Sequence, residues 1–250
     1  MPNFNALLLS LLFVPGSHAD VRAEASPGGT AGSVFQAPGR AFARTLQHFK
    51  LQLPAGNGRG GVQEIKQSGL KTYASRYFYL SAGAMVFWCP DDGASTAGSH
   101  YPRSELRDNR EWRIDASRSM TGTARVLQQP SSGRIIFAQI HGRSVGSEAL
   151  KLRWTNGGVL ASVKRSLGGR DESIPLLGGL HPGDAISFSI LQADHRLTVT
   201  VNGVSVTRLF DSSWDRELLY FKAGNYLQDN SRSGSSGSVA YDALSTAERP

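Results

Sequence analysis

The chain has 250 residues, 40% of them hydrophobic, with 28 glycines, 11 prolines and one cysteine; this limits it to one or two domains and favours a turn-rich all-β sandwich over a helical bundle. A formal net charge of +7 points to a polyanionic partner; nucleic acid would match that charge, yet there is no dense Lys/Arg tract and no nucleic-acid motif. A single cysteine, Cys89, excludes an intramolecular disulfide and gives no support to a thiol protease or a cysteine metal site.

Residues 1–19 read as a signal peptide. Ala6 to Val14 is an apolar run too short to span a bilayer, and Ser17-His18-Ala19 places small residues where a signal peptidase cuts. Residues 20–41 read as a flexible lead-in rich in Gly, Ala and Ser. The remainder, 42–250, is expected to form the domain, and no later segment is apolar for long enough to cross a membrane.

Short strands then follow one another between Gly, Pro, Asn, Asp and Ser. Phe49–Leu53 alternates and stops at Pro54; Tyr77–Leu80 and Met85–Trp88 come next, and Cys89 extends the latter as a buried structural thiol. The polar loop Asp91–His100 leads into Arg103-Ser104-Glu105-Leu106-Arg107. Ala124–Gln128 and Arg134–His141 flank a turn at 130–133, and a second polar loop, 142–147, leaves His141. Both loops have the composition of lids over a groove. Leu150–Trp154 and Val159–Lys164 flank Asn156-Gly157, and Leu197–Val201 and Val204–Val206 flank Asn202-Gly203, both strong hairpin signals. Ile186–Ile190 alternates, Tyr220–Gln228 alternates, and Val239–Tyr241 closes the fold. Short helices are expected near Ser68 and Ser213–Asp215.

Three of these segments carry chemistry. Period-two alternation puts Arg103, Glu105 and Arg107 on one face of their strand, Gln139 and His141 on one face of theirs, and Lys222, Tyr226 and Gln228 on one face of the third. Leu106, Ile140 and Phe221 then point into a core. If the three strands share a sheet, its open face offers a base, an acid, cations and an amide.

The same three segments resemble the signature motifs of the family 7 polysaccharide lyases, the β-jelly-roll alginate lyases: R-S/T-E-L-R, Q-I/V-H and Y-F-K-A-G-x-Y-x-Q, in that order. The resemblance extends over residues 42–244. It implies a jelly roll of two antiparallel sheets with a concave substrate groove, and cleavage of alginate by β-elimination. It assigns catalysis to Arg103, Gln139, His141 and Tyr226. Asn225 and Leu227 depart from the residues many family members carry there. Ile140 follows the Q-I-H form that accompanies guluronate-containing blocks.

The chemistry agrees with those roles. Elimination in a 4-linked uronate removes the proton on C5 and expels the oxygen on C4. A free carboxylate beside C5 opposes this, because the developing enolate adds a second negative charge. Arg103 can pair with the carboxylate bidentately, and the Gln139 amide can donate to it. Lys222 and Arg107 add positive potential, Glu105 holds an arginine, and Tyr220 and Gln228 contact or support the sugar. A neutral histidine, with an unperturbed pKa of about 6.5, serves as base at His141, and a phenol, protonated to about pH 10, serves as acid at Tyr226. In mannuronate, where C5–H and C4–O share a face, Tyr226 alone can take both roles.

No cofactor and no metal is expected, since Asp91-Asp92 reads as a solvated loop pair. The expected partner is an acidic polysaccharide, with no nucleic acid and no membrane, and the protein is expected to be a secreted or periplasmic monomer. The competing readings are a lyase for another polyuronate, such as a glucuronan, and a non-catalytic module that binds acidic polysaccharide on the same fold. A glycoside hydrolase needs two opposed carboxylates, and this face offers only Glu105.

Overall fold

The structure is a computed structural model and describes residues 35–248; the expected signal peptide and most of the lead-in lie outside them. Phe35 to 41, also expected in the lead-in, pack onto the domain instead. Leu80 N–H donates to Gln36 O (2.7 Å) and Phe42 N–H to Pro38 O (3.0 Å). Gly39 lies so close to Lys71 that a Cβ would stand 2.2 Å from its carbonyl oxygen. Among the described residues, those from Phe35 to 41 belong to the same compact unit as the rest of the domain.

A one-turn helix, Ala43–Leu46, precedes the strands Phe49–Gly56 (β1), Val62–Ile65 (β2), Phe78–Ser81 (β3), Ala84–Pro90 (β4), Arg103–Asp108 (β5), Arg118–Gln128 (β6), Arg134–Gly142 (β7) and Glu148–Thr155 (β8). Then come Gly158–Val163 (β9), Glu172–Leu177 (β10), Ile186–Ala193 (β11), Arg196–Val201 (β12), Val204–Leu209 (β13), Leu219–Leu227 (β14) and Ser236–Glu248 (β15). Single 3₁₀ turns sit at Gln67–Lys71 and Ser212–Trp214, where short helices were expected. Among the described residues no helix is long and apolar enough to cross a membrane.

Two antiparallel sheets result, in the orders β10-β9-β8-β7-β14-β5-β1-β2 and β13-β12-β11-β6-β15-β4-β3, the expected jelly-roll sandwich. Asn156-Gly157 and Asn202-Gly203 turn with positive φ at both residues, as their hairpins require, and so do Ala82-Gly83. β2 and β10 escaped the sequence reading because both are edge strands with little alternation, and β10 contains Pro175, which an edge tolerates.

The core lies between the sheets. Leu106, Ile140 and Phe221 all point into it, at 0–1% exposure, beside Phe137, Trp154 and Phe87. Cys89 is buried there too, and burial pushes its thiol pKa well up, as suits a structural residue.

One device aims the motif strands. β14 keeps a regular register with β5, pairing Lys222 with Arg107, Gly224 with Glu105 and Tyr226 with Arg103, but slips against β7 between Ala223 and Tyr226. Gly224 sits in this bulge at φ +148°, where a Cβ would stand 2.6 Å from Ser104 O. Its N–H donates to the hydroxyl of Tyr241 (3.2 Å), which crosses the core from β15 and itself donates to Phe137 O in a second bulge. Asn225, one of the departures from the motif, is wholly buried and spans the sandwich, its Nδ2 donating to Gly237 O (2.8 Å) and Phe87 O (3.3 Å). Leu227, the other, lies in the core.

Candidate active site

A cavity of about 210 Å³ opens on the face of the eight-stranded sheet that turns away from the core. Its floor is built by Gln52 (β1), Arg103 (β5), His141 (β7), and Tyr220, Lys222 and Tyr226 (β14). Its walls come from Thr96–Ser99 and Arg143–Gly146, segments of the two loops with lid composition, and from Glu148 at the start of β8. Parity therefore brings five expected site residues to one space: Arg103, His141, Tyr220, Lys222 and Tyr226.

The other four do not line it. Glu105 lies beneath, with no exposure, and joins three of its neighbours. It accepts from Lys222 Nζ (2.6 Å) and Gln139 Nε2 (2.5 Å), and Arg103 Nη1 stands 3.4 Å away. Burial alone would raise its pKa, but the charges of Lys222 and Arg103 outweigh it and hold the carboxyl below its ordinary range. Gln139, expected at the substrate carboxylate, gives its amide to Glu105 instead and is itself fully buried, its Oε1 without a partner. Arg107 stacks its guanidinium on the Tyr220 ring at 4.0 Å and pairs with Glu111. Gln228 lies past the end of β14, where its Nε2 reaches only Leu227 O (3.4 Å).

Two cations, Arg103 and Lys222, thus share one counter-ion, which leaves net positive charge under the cavity. Burial, and then the Arg103 charge, lower the Lys222 pKa to about 8. Lys222 also donates to Gln52 Oε1 (3.2 Å).

His141 has a defined tautomer. Its Nδ1 lies 2.6 Å from Gly142 O, and a carbonyl can only accept, so Nδ1 carries the hydrogen and Nε2 keeps its lone pair. The Tyr220 hydroxyl stands 3.2 Å from the same Nδ1, and the two rings stack with centroids 5.3 Å apart. Burial, and then the Lys222 charge, pull the His141 pKa from its ordinary 6.5 to about 4. The imidazole is therefore neutral well below the pH expected from the sequence.

Tyr226 is held in place from two sides. Ser99 Oγ accepts from Arg103 Nη2 (2.8 Å) and from Tyr101 N–H (3.2 Å), and the Tyr226 hydroxyl stands 2.9 Å from it. The Arg103 guanidinium lies 3.8 Å over the Tyr226 ring and fixes its plane. Ser99, Gln52 and Glu148 were not singled out by the sequence. For Glu148 a signal existed: closing the 142–147 hairpin places it directly opposite His141. The arrangement offers a base, an acid and paired cations around one space of roughly sugar-ring size.

Comparison with known proteins identifies the family. Residues 45–248 match the family described as Alginate lyase. Among solved structures, the family 7 alginate lyase A1-II′ in complex with a product, GGG, is 35% identical, with TM-score 0.79 over 86% of this chain and 100% of that one. The same enzyme with a substrate, GGMG, is 35% identical, with TM-score 0.78 over 85% and 96%. An alginate lyase from Pseudomonas aeruginosa is 31% identical, with TM-score 0.76 over 82% and 99%. No curated protein sequence matches the chain.

Proposed function

The chain belongs to the alginate lyase family, and from that premise we propose how and where it acts. It is a polysaccharide lyase that cleaves alginate, and the elimination runs in the cavity above Glu105. The uronate ring lies over the floor with its carboxylate toward Arg103 and Lys222, whose shared positive charge offsets the charge that develops on the enolate. His141 Nε2 takes the C5 proton. The C4–O bond breaks with its electron pair leaving on oxygen, Tyr226 O–H protonates that oxygen, and a C4=C5 double bond remains. Imidazolium and phenolate then return to their resting forms by exchange with water.

Gln139 and Glu105 serve this from below. Together they fix the guanidinium and the ammonium, so that positive charge meets the substrate without reorganisation. Arg107 and Tyr220 support the His141 ring, and Gln228 marks the outer end of the strand.

The observation that carries the reading is the meeting of a lone-pair Nε2, a phenol and two cations around one cavity. We further propose a preference for guluronate-containing blocks, in line with the Gln139-Ile140-His141 motif. Export through residues 1–19 and action as a monomer on acidic polysaccharide, with neither nucleic acid nor membrane as partner, complete the proposal.

Ultraviolet absorbance of the new double bond tests it, with alginate, poly-guluronate, poly-mannuronate and a glucuronan as substrates. Absorbance growing fastest on the guluronate polymers is expected. Response to the glucuronan alone would replace the substrate, and binding without absorbance would leave only a carbohydrate-binding module.

A further inference from the structure

Among the described residues, Glu148 is the only carboxylate lining the cavity. An acid in a cleft built for a polyanion repels the substrate, so its presence calls for another partner, and the geometry supplies one. Its Oε1 stands 3.6 Å from His141 Nε2, the nitrogen left with the lone pair, while its Oε2 stands 3.5 Å from Lys164 Nζ. Lys164 in turn donates to Gly146 O (2.6 Å) in the loop that walls the cavity. The two carboxylate oxygens therefore have separate tasks, one toward the base and one toward an anchor.

We infer that Glu148 is a positioning residue for the reaction, holding the imidazolium that His141 becomes when it takes the C5 proton. This rests on the assignment of His141 as base. The groups facing His141 are Glu148 from β8, Tyr220 and Lys222 from β14, and Glu105 from β5. Lys222 opposes protonation and is closely paired with Glu105. Glu148 is the remaining anion, and it lies on the side where the new N–H forms. The cross-strand pairing of His141 with Glu148 keeps it there through the sheet itself.

The test combines pH profiles of kcat and KM with a proton-NMR titration of His141, its resonance identified by its absence in His141→Ala. In Glu148→Gln, kcat is expected to fall about tenfold, while KM stays level or falls because a negative charge near the polymer is gone. Both the His141 titration and the acid limb of kcat/KM move to lower pH, since the imidazolium has lost its anion. Glu148→Asp keeps the charge and is expected to retain a higher His141 pKa and a higher kcat than Glu148→Gln. A His141 titration that does not move in Glu148→Gln, or a raised KM with unchanged kcat, would overturn the inference and make Glu148 a sugar contact. If His141→Ala is inactive while the titration is unmoved, this inference alone fails. If His141→Ala still turns over, the base assignment fails and takes the inference with it.

Discussion

Two rows of side chains, one on each outward face of the sandwich, can be compared strand by strand. On the seven-stranded sheet, Ser245, Thr121, Ser189, Thr200 and Ser205 stand opposite one another across five strands. On the eight-stranded sheet the corresponding row runs Lys151, Gln139, Lys222, Arg107 and Lys50. The first is neutral and satisfies itself at the surface, with Thr200 and Ser205 hydroxyls 2.7 Å apart. The second sets cations side by side, which by itself disfavours pairing of the strands. Each cation in the row therefore has an acid beside it: Asp171 for Lys151, Glu105 (shared with Arg103) for Lys222, Glu111 for Arg107 and Glu64 for Lys50. Both rows satisfy the same alternation. Only the charged one is arranged against its own stability, and such cost is expected where function requires it.

The sharpest break of the comparison comes from the proton-transfer pair. His141→Ala and Tyr226→Phe are each expected to lower turnover by about 10²–10⁴-fold, read as ultraviolet absorbance of product, with far-UV circular dichroism unchanged. Near-normal rates in either variant would remove that residue from the chemistry.

Next is the buried anion. Glu105→Gln keeps the shape but leaves Lys222 and Arg103 without their counter-ion, so denaturant titration should show a loss of about 3–5 kcal/mol. Turnover should fall with it, because Gln139 and both cations lose their common anchor. A variant as stable as the parent would mean that the cations do not depend on Glu105.

The pH dependence follows from the same crowding of charge. With the His141 pKa at about 4 and that of Lys222 at about 8, kcat/KM of the free enzyme should fall as pH drops through about 4, when the base is protonated. It should fall again as pH rises through about 8, when the ammonium under the carboxylate is lost. Stability has its own sign. An unfolded histidine takes up a proton near 6.5 while His141 in the fold does not, so the unfolded state binds more protons and stability declines as pH falls from 6.5 toward 4. An acid limb near 6.5 would show that burial does not depress the imidazole.

How much of this was legible in the sequence follows from what period-two alternation encodes. It carries face, and so Arg103, His141, Tyr220, Lys222 and Tyr226 converge as expected. It does not carry depth: Glu105 and Gln139 share the face of the others but are covered by their neighbours, so Gln139 turns to Glu105 rather than to the cavity. Nor does it carry what a loop brings back, which is why Ser99 was invisible although its loop was noticed, while Glu148 could be reached only by closing the 142–147 hairpin opposite His141. Edge strands such as β2 and β10 bury too little to leave a pattern. The bulge at Gly224 was hidden for a different reason. A glycine in a motif does not announce its φ, and only the close approach of Ser104 shows why a side chain is excluded. Gly224→Ala should accordingly cost roughly 1–3 kcal/mol and reduce turnover by displacing Tyr226, measured by thermal melting alongside the absorbance assay.

The smallest effect is expected on the neutral face, and it is the control that gives the others meaning. Thr200→Ala removes a hydroxyl whose partner, Ser205 Oγ, is exposed and can turn to water. No buried group is left unsatisfied, so stability should change by no more than about 0.5 kcal/mol and kcat and KM should not change at all. The two rows differ in whether a lost partner can be replaced by solvent: Ser205 has that recourse and Lys222 does not. Equal losses in Thr200→Ala and Glu105→Gln would show that burial of the abandoned partner does not set the cost.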